Sequence, residues 1–189
     1  MLNQAQAGQR QVYFVDAAHF VYGAFLTVVW CFCRTFIKTP AGRQRLNVLG
    51  AINAVSHQFV SVINQTYINA QSVCDLLDKL RELHPADPLT IVLDNARYQH
   101  CKKVLAHAAQ RGITLLFLSP YSPNLNLIER LWKFIKKNCL NGRYYPTHHE
   151  FQAAILESLN AVNTRHKAAL TRTLALNFQM FDKVHLLAA

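Results

Sequence analysis

Ten acidic side chains are spread over 189 residues, few enough to be judged one by one. Asp75, Asp78 and Glu82 recur at helical spacing and read as a solvated helix face. Asp87 stands in a turn between Pro85 and Pro88, Glu150 follows Thr147 at the spacing of an N-terminal cap, Glu157 lies one heptad further on, and Asp182 belongs to the tail. Three carboxylates remain. Asp16 closes the apolar run 12–15, Asp94 closes the run 89–93, and Glu129 sits in the first turn of an amphipathic helix after a proline-rich loop. A carboxylate at the end of a buried strand is costly unless it is paired or bound to a cation. Taken singly, each has a structural explanation: a turn residue for Asp16, a helix N-cap or Asx-turn with Asn95 for Asp94, and a capping box with Asn126 for Glu129. Taken together, one pair of divalent cations accounts for all three.

The elements that must carry these residues follow from hydrophobic periodicity. Residues 12–15, 24–32, 45–55 and 59–64 read as strands, with turns at 39–42 and 56–58, which makes an antiparallel meander. Val73, Leu76, Leu77, Leu80 and Leu83 then recur at helical spacing over 70–83. Residues 89–93 and 113–118 are continuous apolar runs, the pattern of strands buried on both faces. Helices are predicted over 98–111, stopped by Gly112, over about 147–163, and over 170–181. Pro120 and Pro123 delay the Glu129 helix, whose buried stripe is Leu125, Ile128, Trp132, Ile135 and Cys139, with Glu129 at its edge. A meander followed by alternating helix and strand predicts an α/β domain, a mixed sheet covered by helices. Residues 1–11 read as a flexible lead-in and 182–189 as a tail, with no repeat or linker that marks a second domain.

Composition limits the partners. Hydrophobic residues are 51% and charged residues 16%, the balance of a globular chain, and the net charge is +10. Such a charge favours a polyanion, nucleic acid foremost, while an anionic membrane surface is the competing attraction. The most apolar segment, residues 20–33, is too short to span a bilayer, and the polar N-terminus lacks a signal-peptide core, so a soluble cytoplasmic protein is expected. The five cysteines are read as free thiols of a reducing compartment. Cys31 and Cys33 lack the second pair that a zinc module requires.

Residues 13–20 (YFVDAAHF), 93–98 (LDNARY) and 122–132 (SPNLNLIERLW) resemble the three catalytic motifs of mariner-related bacterial insertion-sequence transposases of the DDE superfamily. The 34 residues 95–128 separate Asp94 from Glu129, the spacing of that group. Ala17 stands where many relatives have an acidic residue, and Leu127 where many have proline; neither change removes a ligand. The resemblance covers residues 12–181 and implies an RNase H-like (retroviral integrase-like) catalytic domain there. It further implies two Mg²⁺ or Mn²⁺ ions held by Asp16, Asp94 and Glu129, action on element ends and target DNA, association with the nucleoid, and a homodimer. Relatives usually carry an N-terminal helix-turn-helix for end recognition, and 11 residues before Val12 cannot hold one. The expectation is a catalytic part alone, its helix-turn-helix half encoded separately or lost.

The chemistry so implied is hydrolysis at the element ends, then attack of the freed 3′-hydroxyl on target DNA, with no covalent protein–DNA intermediate. His19, Asn95, His100 and Asn126 neighbour the ligands in sequence and are candidates to orient water or phosphate. Arg130, Lys133, Lys136, Lys137 and Arg143 are candidate DNA contacts on or just past the Glu129 helix, extended by Arg97, Lys102, Lys103 and Arg111. Tyr121 is a candidate to stack on a flipped base, whereas Trp132 lies on the core stripe and reads as packing. Two other readings compete: an RNase H-like nuclease without strand transfer, and a catalytically silent DNA-binding remnant.

Overall fold

The computed structural model describes residues 1–23, 32, 44–119 and 125–176. The expected strand over 24–31, the turn at 39–42, the proline loop with Tyr121, both Cys31 and Cys33, and everything beyond 176 lie outside the described residues.

Five strands form one mixed sheet in the order β3-β2-β1-β4-β5. β1 (Gln11–Val21) and β2 (Arg45–Asn53) are antiparallel, as are β2 and β3 (Phe59–Asn64), joined by a turn in which His57 has φ 56°. On the other side, β4 (Leu89–Leu93) and β5 (Ile113–Phe117) run parallel to β1. Side chains alternate between the two sheet faces, and each face has its own core. On one face, Tyr13, Val15, Ile91 and Leu93 pack against α2 (Ala70–Leu83) and α3 (Lys102–Gln110). On the other, Val12, Phe14, Ala18, Phe20 and Val92 pack against α4 (Ile128–Cys139), α5 (His148–Asn160) and α6 (Lys167–Thr173). This is the RNase H-like arrangement, with helices on both faces of a sheet that is antiparallel on one side and parallel on the other.

Several boundaries differ from the sequence reading, each for a physical reason. Residues 2–6 form the short helix α1 (Leu2–Gln6) with Ala5 buried, so the lead-in is structured there. β1 does not stop at Asp16, because antiparallel pairing with β2 satisfies its backbone through Val21 after pairing with β4 has ended at Val15. α3 begins at Lys102 rather than Tyr98: Gln99 is fully buried and the neighbouring His100 ring packs on Phe117, 4.5 Å between centroids. A helix cannot turn two adjacent side chains onto separate partners in this way. Instead, the amides of Gln99 and His100 both close turns onto Ala96. Gly112 ends α3 as expected, with φ 61°. β5 is an edge strand, half-buried rather than enclosed.

Candidate active site

Strand register brings the two aspartates together. Val15 pairs with Leu93 in the parallel β1–β4 ladder, so the next residues, Asp16 and Asp94, emerge side by side at its end. Both fall on the α4 face, since Val15 and Leu93 point into the opposite core. Glu129 arrives from the first turn of α4, where a carboxylate is also favoured by the helix dipole. The three charges feel one another. Burial first, then repulsion from Asp94 and Glu129, push the Asp16 carboxyl up from 3.8 to about 7. Among the described residues no Lys, Arg or His forms an ion pair with any of the three.

Two contacts fix α4 against β1. Asn126 is buried and donates through Nδ2 to the Val15 carbonyl oxygen at 3.1 Å, so its side chain is spent on β1 and does not cap α4. The N-cap is Leu127, without a side-chain bond, and the capping-box explanation of Glu129 falls away. One turn further, Trp132 Nε1 donates to Asp16 Oδ2 at 3.0 Å. Its indole lies over Gly50, the residue paired with Asp16 across β1–β2, where an added Cβ would come within 2.6 Å of the ring. The buried stripe of α4 is Ile128, Leu131, Trp132, Ile135 and Cys139; Leu125 is exposed, since it precedes the helix.

The remaining candidates divide. His19 is three residues past Asp16 and therefore on the opposite face of β1, where its Nδ1 donates to Asn47 Oδ1 at 2.6 Å; it does not reach the carboxylates. The Asn47 amide donates elsewhere, to Thr66 O, which sets the direction of that bond. Asn95 and His100 are exposed in the β4–α3 connection, with His100 against Phe117. Tyr98 is absent from the sequence-based candidates, yet its hydroxyl is pushed up to about 12 by burial and then by Asp94, with a smaller contribution from Asp16, which places it beside the cluster. Gln99 Nε2 donates to that hydroxyl at 3.3 Å. No motif reveals Tyr98, because its position depends on the turns that replace the start of α3.

The basic residues also divide. Lys133 and Lys136 stand four and seven residues after Glu129, on its side of α4, and Lys137 and Arg143 are exposed nearby. Lys133 makes no ion pair with Glu129. Arg130 Nη1 donates to Ala175 O at 2.5 Å. Arg97 and Lys102 are exposed, whereas Lys103 reaches Gln71 of α2 at 2.5 Å, on the far side of the sheet from α4. Arg111 is committed to Asp78 at 2.9 Å, together with His107 at 2.7 Å, so Asp78 is an ion-pair centre rather than a solvated charge.

The set of groups suits a hard divalent cation. The donors are carboxylate oxygens alone, and the buried acceptor Asn126 Oδ1 has no hydrogen-bond donor. Among the described residues no three His, Cys, Asp or Glu side chains close around one point tightly enough to enclose an ion by themselves. Magnesium does not require that, because it keeps several waters and takes one or two carboxylates per ion. The residues present fit such a group.

Sheet, cluster and spacing define a polynucleotidyl-transferring type of core, and comparison with known proteins gives the family. The profile of the DDE superfamily endonucleases matches residues 11–152, and the chain belongs to that family. Among curated proteins it is similar to the uncharacterized protein y4pE/y4sA of Sinorhizobium fredii, 36% identical over 55 residues, which span 29% of this chain and 38% of that one. Among solved structures it is similar to the Mos1 transposase paired-end complex with left transposon end, with TM-score 0.59 and 11% identity over 94% of this chain and 59% of that one. The Mos1 strand transfer complex gives TM-score 0.59 and 11% identity, covering 96% and 58% of the two chains. The catalytic core domain of BIV integrase gives TM-score 0.53 and 15% identity, covering 82% and 84%. At these identities the structural likeness speaks for the fold, RNase H-like as expected. Among the described residues no helix is long and apolar enough to cross a membrane.

Proposed function

We propose that this endonuclease is the catalytic core of a transposase, cutting DNA at the ends of a mobile element and joining the freed ends to target DNA. The observation that carries the reading is the convergence of Asp16, Asp94 and Glu129 on one sheet face, close enough for the other two to push the Asp16 carboxyl upward. The likeness to the Mos1 complexes, a paired-end and a strand transfer assembly, supports the same reaction class. Asp16, Asp94 and Glu129 would hold two Mg²⁺ or Mn²⁺ ions, which supply charge neutralisation at the phosphodiester and activation of the attacking oxygen. Asn126 keeps α4, and with it Glu129, seated on β1. Lys133, Lys136, Lys137 and Arg143 bind DNA phosphates next to the cluster, with Arg130, Arg97, Lys102, Lys103 and Tyr121 as further contacts. Residues 12–181 form the catalytic domain; it acts as a homodimer in the cytoplasm, on the nucleoid, with end recognition supplied by a helix-turn-helix outside this chain.

The test is cleavage and joining of labelled duplexes that carry the terminal sequences of the element encoding this chain, with Mg²⁺ or Mn²⁺. Asp94→Asn should reduce cleavage by more than about 100-fold, beyond what a change outside the ligand set costs. Unchanged cleavage would remove the catalytic assignment and leave a DNA-binding remnant. Pre-cleaved ends should be joined to target plasmid by the unsubstituted protein; cleavage without joining would make it a nuclease instead.

A further inference from the structure

Trp132 serves the core like its neighbours on α4, but its indole nitrogen does something packing does not require. The ring is 2% exposed and is met edge-on by Phe20 and Phe59, at centroid distances of 6.3 and 6.0 Å. An indole N–H enclosed this way needs an acceptor, and the acceptor is Asp16 Oδ2, 116 residues away in sequence. The approach is possible because residue 50 is glycine: a Cβ there would stand 2.6 Å and 2.8 Å from two ring carbons. Trp132 is also three residues after Glu129. A single turn of α4 therefore carries one carboxylate of the cluster and the donor that grips another.

We infer that Trp132 is a positioning residue: its N–H, seated over Gly50, fixes the rotamer of Asp16 and commits one of its oxygens, so that the carboxylate meets a divalent cation already oriented. This rests on the reading of Asp16, Asp94 and Glu129 as cation ligands. Donors that orient ligating carboxylates in this way are worth about 10- to 100-fold in metal affinity.

The experiment is Mn²⁺ binding to the metal-free protein, followed by the free-ion electron paramagnetic resonance signal, with no DNA present. Trp132→Phe keeps an aromatic ring for Phe20 and Phe59 but loses the donor. It should bind Mn²⁺ at least about tenfold more weakly at a temperature where circular dichroism shows it folded. A role in packing alone would lower the melting temperature and leave Mn²⁺ affinity unchanged. Affinity equal to the unsubstituted protein, with Asp16→Asn binding little, overturns the inference and spares the ligand reading. Asp16→Asn binding as well as the unsubstituted protein sinks both. Should Trp132→Phe fail to fold, the Trp30→Phe protein decides, since the chain contains two tryptophans and Trp132 then gives the one indole resonance. That ¹⁵N–¹H signal should move as Mg²⁺ is added; a signal that stays put while Mn²⁺ binds overturns the inference.

Discussion

Asp16 is the residue at which burial and like charge meet, and its titration gives a sign that can be checked. Its folded-state carboxyl is raised from 3.8 to about 7, so the folded protein holds this proton more tightly than the unfolded chain does. The contribution to stability is complete below pH 3.8 and is lost as pH rises through about 7. Metal-free Asp16→Asn should therefore melt higher than the unsubstituted protein at pH 8, and the gap should close as pH falls toward 4. Adding Mg²⁺ at pH 8 should raise the melting point of the unsubstituted protein and not that of the variant. Equal melting curves at pH 8 would mean that Asp16 is not crowded by its neighbours. The importance of three carboxylates is legible in the sequence, because seven of the ten have other employment and the motifs with their spacing match a family. The place of His19 is not legible, because closeness along a strand is not closeness in space: residues an odd number apart face opposite ways.

Among the elements, α2 and β4 are legible to the residue, since an uninterrupted apolar period leaves little freedom in where they end. β1 reads too short in sequence because Asp16 and His19 interrupt its apolar pattern, and only the partner strand β2 carries it on to Val21. α4 is legible as a buried stripe with Glu129 at its edge. Its seating on the sheet is not, because that depends on a bond between Trp132 and Asp16 and on a gap at Gly50. Gly50 therefore makes a sharp test of how α4 lies. Gly→Ala within a strand ordinarily stabilises by removing freedom from the unfolded chain. Here the new methyl group meets the Trp132 and Phe59 rings, and Gly50→Ala should cost about 1–3 kcal/mol in urea unfolding, the range for overpacking. A neutral or stabilising result would place the indole somewhere other than over the sheet.

At the scale of the whole molecule, 20 basic against 10 acidic residues point to a polyanion as the partner but not to where it binds. The fold supplies a location: Lys133, Lys136 and Lys137 ride on the helix that carries Glu129, while Arg111 is used up by Asp78. Replacing those three lysines with glutamine should flatten the slope of log affinity for duplex DNA against log salt by up to about 3, near 0.9 for each phosphate no longer neutralised. An unchanged slope would move the DNA to another face. Fold, charge and chemistry all converge on the cluster at the end of β1 and β4 being a cation site, and a crystal structure of the protein soaked in Mn²⁺ asks this directly. Anomalous density for manganese is expected in contact with carboxylate oxygens of Asp16, Asp94 and Glu129; manganese found elsewhere, with these three side chains bare at saturating concentration, would contradict it.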